Sequence, residues 1–358
     1  MKLFRFFLSS YRFFLSKIFK LSRSNTMSAG VNCHISEFKP SIYHGDIVHP
    51  CVRFSEQKFK GYNWWLIYTP YYNSNSDVEN PILCYGISDD GGPPTYWHVY
   101  KEIIGKPLYG YNSDPTMFFD SKGLNIFWRE NATPRTEKDH LYRATYGFVL
   151  SEHGEKNLVK PILCEKEVFM DKEVSPTILK LENSYFAYAM HIRFKNSRLH
   201  SDFSFLEKLI QISLKTLSVL EVYNEKKTFG ISIWKSDDIE KSFKYIKTTK
   251  IINRNKLYIP WHLDVFRHKN KLYAIIQTTQ TNADICLAVC DDDENFTMYS
   301  KPLITNFSIG KLGIYKPTGF VHKDVFYLYY TAQEKSNRLL NKMFLTKEPF
   351  DILIDNLS

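Results

Sequence analysis

Five polar or charged residues each open a similar short segment, and their types and spacing could support chemistry. After each segment comes a polar turn and then an aromatic-rich strand, such as 63–68 after the first opener and 325–330 after the last. Imidazole, carboxylate and ammonium groups held together can act as acids, bases and anion-binding groups. The five openers are His49, Asp114, Ser175, His262 and Lys316.

The recurrence of an opener followed by strand, turn and strand predicts an all-β fold, a five-bladed β-propeller. The innermost strands of a propeller begin around one axis, so we expect the five openers to converge in a central pocket. An aromatic content of 16%, with 24 Tyr and 27 Phe, is typical of many half-buried strands. We assign residues 43–345 to the propeller and residues 346–358 to a C-terminal tail.

The longest step between openers falls in the third blade, where residues 198–221 carry apolar side chains at helical spacing. This pattern predicts a helical insertion in blade three.

The first 24 residues are amphipathic, but Arg5, Arg12 and Lys17 interrupt their apolar face. They predict a helix lying on an anionic membrane surface, followed by a linker over residues 25–42. The expected localisation is cytoplasmic and peripherally membrane-associated. The alternatives are export through an atypical signal, a helix docked on the propeller, or a true start at Met27.

Residues two positions after the openers share their strand face and should line the same axis. They are Cys51, Thr116, Thr177, Asp264 and Thr318. We therefore expect Asp264 to assist His262 as an acid–base pair, and Lys316 to neutralise an anionic sugar or a phosphate. His49, Asp114 and His262 could hold an axial ion, but no spacing rule supports one, so we predict no metal and no cofactor.

The openers resemble those of the propeller glycosidases of the arabinanase, β-xylosidase and levansucrase type. Asp114-Pro115 and Ser175-Pro176 match the Asp-Pro and Ser-Pro steps that open blades two and three in that family. Other segments resemble an uncharacterised propeller subgroup that is associated with bacterial surface-polysaccharide loci and phage proteins. They are 49–50, 68–70, 79–81, 111–115 and 260–265.

The resemblance implies a glycosidase-like enzyme, but the chain departs from the family pattern at two carboxylates. Blade one opens with His49 where the family has a general-base aspartate, and Asp46 is the neighbouring carboxylate. Asp114 matches the family's helper aspartate, and Glu173 lies near the opening of blade three as a candidate acid. The expected catalytic residues are therefore Asp114, His262, Asp264, His49 and Glu173. Substrate binding is expected from Lys316, Ser175, Tyr111, Trp261, Arg129 and Tyr72.

The favoured hypothesis is a glycoside-processing enzyme that acts on a bacterial surface polysaccharide or its precursor. Two alternatives stay open: a propeller glycosyltransferase or phosphorylase, and a carbohydrate-binding propeller without catalysis. The expected partners are a carbohydrate, for which an anionic sugar is one candidate, and an anionic membrane surface. The net charge of +9 includes the basic N-terminal segment, and no basic stripe with interleaved aromatic residues follows it. We therefore expect no nucleic-acid binding.

Overall fold

The computed structural model describes most of the chain, with gaps between the described ranges. The predicted N-terminal helix and the predicted insertion at 198–221 both lie outside these ranges. Among the described residues, no helix is both long enough and apolar enough to span a membrane. The described ranges are 25–36, 46–72, 75–88, 91–107, 110–132, 142–157, 163–166, 171–193, 229–252, 259–279, 284–290, 295–306, 313–333 and 341–358.

The strands described fall into antiparallel groups that follow one another along the chain, and we call them units one to five. The prediction of an all-β fold is confirmed. Units one and two contain β2 (Ile47–Phe59), β3 (Tyr62–Pro70), β4 (Ile82–Gly86) and β5 (Tyr96–Glu102), then β6 (Tyr111–Asp120), β7 (Gly123–Ala132), β8 (Tyr142–Leu150), β9 (Glu155–Asn157) and β10 (Leu163–Lys166).

Units three and four each have four strands, and their outer strands β14 and β18 pair in parallel. Unit five completes its sheet with β1 from the N-terminal end of the described chain. These units contain β11 (Asp171–Leu181), β12 (Ser184–Arg193), β13 (Phe229–Ser236), β14 (Lys244–Ile252), β15 (Ile259–His268), β16 (Lys271–Thr279), β17 (Ile285–Cys290), β18 (Phe296–Met298), β19 (Gly313–His322), β20 (Val325–Gln333), β21 (Asn341–Pro349) and β1 (Val31–Ile35).

The apolar core is divided into clusters, each of which lies between two adjacent units. Alternate residues of one strand point to opposite faces, so each strand supplies two clusters. In β3, Trp64 and Leu66 pack toward unit five, whereas Trp65 and Ile67 pack toward unit two. The innermost strands β2, β6, β11, β15 and β19 contact one another in a closed ring. The aromatic content of the sequence is thus used to fill the space between units.

The ring closes through β1, which lies inside the region that we had predicted to be a linker. Its residue Cys33 pairs with Met343 of β21, and Ile35 pairs with Trp97 of β5. The N-terminal end therefore joins unit five to unit one, and the linker prediction is wrong for Val31–Ile35. The strand is easily missed from the sequence because it has only five residues, of which only the middle residue, Cys33, is buried.

The last residues of the chain are also ordered into the fold. β21 ends at Pro349, and a helix, α1 (Phe350–Leu357), follows directly. Phe350, Leu353 and Leu357 are buried in the cluster between units four and five. The residues that the sequence analysis assigned to a tail therefore cover the edge of this core cluster.

A buried carboxylate reinforces the closure. Asp46 Oδ1 accepts hydrogen bonds from the backbone N–H of Asn341, at 3.0 Å, and from its side-chain amide, at 2.8 Å. We predict that Asp46→Ala lowers the free energy of unfolding by about 2 kcal/mol, because buried donors lose their acceptor. Denaturant unfolding measures this change, and Asp355→Ala, at an exposed position of α1, is the matched control. Equal stability of the two variants would contradict a role for Asp46 in closure.

Candidate active site

A β-bulge recurs at the beginning of every innermost strand. The pairing register shifts between Val48 and Cys51 in β2, and equivalent shifts occur in β6, β11, β15 and β19. A bulge interrupts the ladder and re-aims side chains. Proline has no N–H to donate, so it is tolerated at such an interruption. A proline directly follows every opener except His262, and it is the local signal that turns those four openers toward the axis.

Three openers have left-handed backbone conformations that non-glycine residues rarely adopt. The φ angles are 52° at His49, 49° at Asp114 and 55° at Ser175. Such a conformation costs on the order of 1 kcal/mol per residue and persists only where the surrounding structure imposes it. Three strained residues at equivalent positions of adjacent units indicate that their side-chain directions matter more than local stability.

Asp114 is the centre of the cluster that the openers form. Its Oδ1 lies 3.6 Å from His49 Nε2, 3.7 Å from His262 Nδ1 and 3.4 Å from Lys316 Nζ. Ser175 Oγ donates a hydrogen bond to the same oxygen at 3.1 Å. Arg129 of β7 contacts the other oxygen, Oδ2, at 3.3 Å. The expected convergence of the five openers is therefore what the structure shows.

The cluster is almost completely buried, which strengthens the interactions between its charges. Asp114 is 3% exposed and His262 is 2% exposed. Burial by itself would raise the pKa of the Asp114 carboxyl, but His49, Lys316, His262 and Arg129 outweigh it. They hold that pKa well below its usual range, so Asp114 is ionised at neutral pH.

His49 links Asp114 to a second buried carboxylate. Its Nδ1 lies 3.0 Å from Glu79 Oε2 and 3.1 Å from Thr69 Oγ1, while Nε2 faces Asp114. Burial raises the pKa of Glu79, and the His49 imidazole opposes this rise. A proton shared between Glu79 and Nδ1 leaves Nε2 directed at the centre of the cluster.

The aromatic ring of Tyr315 covers both histidines. Its centroid lies 5.3 Å from that of His49 and 4.6 Å from that of His262. His262 Nδ1 also forms a short hydrogen bond with Ser175 Oγ. Tyr111, Trp261 and Tyr315 are half-buried and lie in the first residues of their strands, at the end of the axis where the openers meet. They border the cluster as the sequence analysis expected of Tyr111 and Trp261.

Asp264 lies in a second layer of the axis, where Arg53 is its main partner. The Arg53 guanidinium donates to Oδ1 at 2.9 Å and to Oδ2 at 3.2 Å. Thr318 and Thr177 also donate to this carboxylate, at 2.6 and 3.2 Å. Burial would raise the pKa of Asp264, but the guanidinium lowers it below its usual value. The expected pairing of Asp264 with His262 is therefore corrected. Residues two apart on a strand lie about 6.6 Å apart along it and occupy successive layers.

Two more of the expected residues lie apart from the cluster. Glu173 Oε1 accepts hydrogen bonds from His191 Nδ1 at 2.8 Å and Ser232 Oγ at 2.9 Å, both within unit three. These contacts direct Glu173 into its own sheet instead of toward Asp114, which corrects its assignment as the acid. Tyr72 is 45% exposed and follows β3 on the surface.

Sequence reasoning missed three residues of the cluster, namely Glu79, Thr69 and Tyr315. Glu79 and Thr69 belong to the proline-containing segments 79–81 and 68–70, which carried part of the family resemblance. Thr69 lies in β3 and pairs with Val48, next to His49. The position of Glu79 depends on the loop between β3 and β4, where a 3-10 turn, Ser76–Val78, leads into Glu79. Tyr315 directly precedes the opener Lys316, and this adjacency was an available signal.

Comparisons with known proteins give structural neighbours only, since no protein-family model and no curated protein matches the chain. An N-acetylgalactosamine deacetylase from F. plautii, solved with blood group B trisaccharide, has a TM-score of 0.65 at 15% identity, covering 94% of this chain and 98% of that one. A GH43_1 enzyme from Xanthomonas citri has a TM-score of 0.55 at 9% identity, covering 86% and 89%. A B. megaterium levansucrase variant has a TM-score of 0.56 at 10% identity, covering 90% and 86%. The resemblance to the propeller glycosidases is thus confirmed at the level of fold.

The contacts of Asp264 allow a test of whether this carboxylate stabilises the fold. We predict that Asp264→Ala lowers the free energy of unfolding by about 3 kcal/mol, because it leaves the largely buried Arg53 charge without its carboxylate partner. The double variant Arg53→Met/Asp264→Ala should lose less than the sum of the single variants. A double-mutant cycle in denaturant measures the coupling. Additive losses would show that the pair does not hold the axis together.

Proposed function

We propose that this chain is a five-bladed propeller enzyme that hydrolyses a bond in a carbohydrate at the cluster around Asp114. The observation that carries the proposal is the convergence of the other four openers, one from each remaining unit, on the ionised carboxylate of Asp114. Buried, strained and charged groups cluster at functional sites more often than at structural ones. Structural neighbours named as carbohydrate-active enzymes support the same class of reaction.

The geometry favours removal of an acyl group from a sugar over cleavage between two sugars. Glycosidic cleavage requires a protonated carboxylic acid that reaches the leaving oxygen, and usually a second carboxylate. Asp114 is held ionised, so it is a poor acid. Glu79 has a raised pKa, but its Oε2 binds His49 Nδ1 and Thr69, on the side of the imidazole away from Asp114. The neighbour named as an N-acetylgalactosamine deacetylase supports an N-acyl group as the target.

The proposed reaction is hydrolysis of an amide or ester on a sugar. Water adds to the acyl carbon, and its oxygen forms the new C–O bond while the carbonyl oxygen becomes an oxyanion. The bond from the acyl carbon to the sugar nitrogen or oxygen then breaks. The proton released by water is taken up by the imidazole–carboxylate cluster and returned to the leaving group. Lys316 is positioned to stabilise the oxyanion as charge develops.

For the natural substrate we propose a bacterial surface polysaccharide or its lipid-linked precursor, which the sequence resemblance supports. Binding of residues 1–24 to an anionic membrane would bring such a precursor close to the enzyme. The Lys316 and Arg129 charges beside Asp114 favour an anionic glycan. A cytoplasmic, membrane-associated location belongs to the same proposal.

The test is to separate acyl hydrolysis from glycosidic cleavage with one set of substrates. The full-length protein is incubated with N-acetylated and O-acetylated glycans, and both released acetate and new reducing ends are measured. Acetate without new reducing ends is the expected result. New reducing ends without acetate would overturn the acyl assignment and restore a glycosidase. Binding of glycans with neither product would instead support the carbohydrate-binding alternative.

Lys316 and Lys323 offer a matched pair of substitutions on the same strand and its turn. We predict that Lys316→Met lowers kcat for acetate release about 100-fold, as expected when one group that stabilises an oxyanion is removed. Lys323→Met, at an exposed turn of the opposite end, should leave kcat unchanged. Steady-state kinetics of both variants measure the difference. Equal kcat values would remove Lys316 from the proposed reaction.

A further inference from the structure

We propose that the cluster binds a divalent transition metal ion of the zinc type through His49, Asp114 and His262. One ligand atom from each of these buried residues lies within 4.8 Å of the other two. Two imidazole nitrogens and one carboxylate oxygen form a donor set that catalytic zinc sites use, with a further position left for water or substrate. The prediction that there is no metal rested on spacing along the chain. The three proposed ligands come from three separate units, so no short sequence spacing of the usual metal-binding kind connects them.

The distances within the cluster are close to those that a bound ion requires. Ligand atoms about 2.0–2.1 Å from one tetrahedral ion are separated from each other by roughly 3.4 Å. Asp114 Oδ1 lies 3.6 Å from His49 Nε2 and 3.7 Å from His262 Nδ1. Binding would therefore require shifts of only a few tenths of an ångström in these two pairs. His262 Nδ1 would also exchange its hydrogen bond with Ser175 Oγ for the ion.

Glu79 is placed as the outer partner of one ligand. Metal-binding histidines usually donate their second ring N–H to a carboxylate, which fixes the ring and strengthens the ligand nitrogen. His49 Nδ1 contacts Glu79 while Nε2 faces Asp114, and Glu79 is buried with Thr69 donating to it at 3.3 Å. Burial of the Glu79 carboxylate costs free energy. A role in orienting the metal ligand His49 would explain why this carboxylate is buried here.

Two groups share Asp114 Oδ1 with the proposed ion. The Lys316 ammonium lies 3.4 Å from this oxygen, and the Ser175 hydroxyl donates to it at 3.1 Å. A positive charge so close to a divalent cation repels it, and an ammonium competes for the same oxygen. Metal binding must therefore move Lys316 off Oδ1, and Lys316 is the residue whose removal should tighten the site.

The role of the ion in activating water depends on the proposed function. The proposal that the cluster binds an ion does not depend on it. A zinc-type ion lowers the pKa of a bound water and polarises a carbonyl oxygen, which is the chemistry that acyl hydrolysis needs. The residues of this chain would hold the ion, orient His49 through Glu79 and keep the cluster buried. Binding and activity can therefore be measured separately.

The experiment is a titration of chelator-treated, full-length protein with Zn²⁺ by calorimetry, and with Co²⁺ by visible absorption. We expect about one tightly bound ion per chain and the spectrum of a low-coordinate Co²⁺ site. His49→Ala and His262→Ala should each weaken binding more than 100-fold, and Glu79→Gln should weaken it about 10- to 100-fold. His322→Ala, in the last residue of β19, is the control and should bind normally. Ca²⁺, which prefers oxygen ligands, should not compete.

Lys316→Met provides a second variant that does not remove a ligand, and it should bind Zn²⁺ more tightly than the wild type. Failure of the wild type to bind Zn²⁺ or Co²⁺ tightly would overturn the proposal, as would unchanged binding in folded His49→Ala and His262→Ala variants. Tight binding without acetate release would keep the metal site and reject the proposed function. Acetate release by metal-free protein would keep the function and remove the ion from it.

Discussion

The axis of this molecule depends on a single buried carboxylate. Asp114 contacts each of the other four openers, so one side chain joins all five units at the end where their innermost strands begin. An unpaired carboxylate at 3% exposure would be prohibitively costly, and the surrounding histidines, lysine and arginine offset that cost. The same arrangement keeps Asp114 ionised. The Asp114 carboxylate therefore joins the five units and, because it stays ionised, is also a poor proton donor.

Two layers of polar groups follow each other along the axis, and they perform different tasks. Around Asp114, the contacts are long and several groups share one oxygen, so the cluster can rearrange around a ligand. Around Asp264, a bidentate guanidinium, two threonines and the Gly319 N–H satisfy the carboxylate fully. A fully bonded network is rigid. The second layer thus provides a rigid base beneath the Asp114 cluster, in which three openers have strained backbones and several groups share one carboxylate oxygen.

The repeat of openers predicted the all-β fold and the convergence of the five side chains, because period-two strands around an axis leave few alternatives. The strand β1 was missed because it has only five residues and one of its two partners, β21, lies at the other end of the chain. Glu79 was missed because a loop brings it to His49, and loop paths are not encoded by periodicity. Asp264 was misplaced because facing the same side of a strand does not mean lying in the same layer.

We propose the Asp114 cluster as the site that binds an acylated sugar. A crystal structure of the Asp114→Asn variant soaked with an N-acetylated amino-sugar oligosaccharide tests it most directly. We expect the acyl group at the axis, with its carbonyl oxygen beside Lys316 and the sugar against Tyr111, Trp261 and Tyr315. A sugar bound only at the outer surface of the units, with the axis still closed by its own side chains, would contradict it.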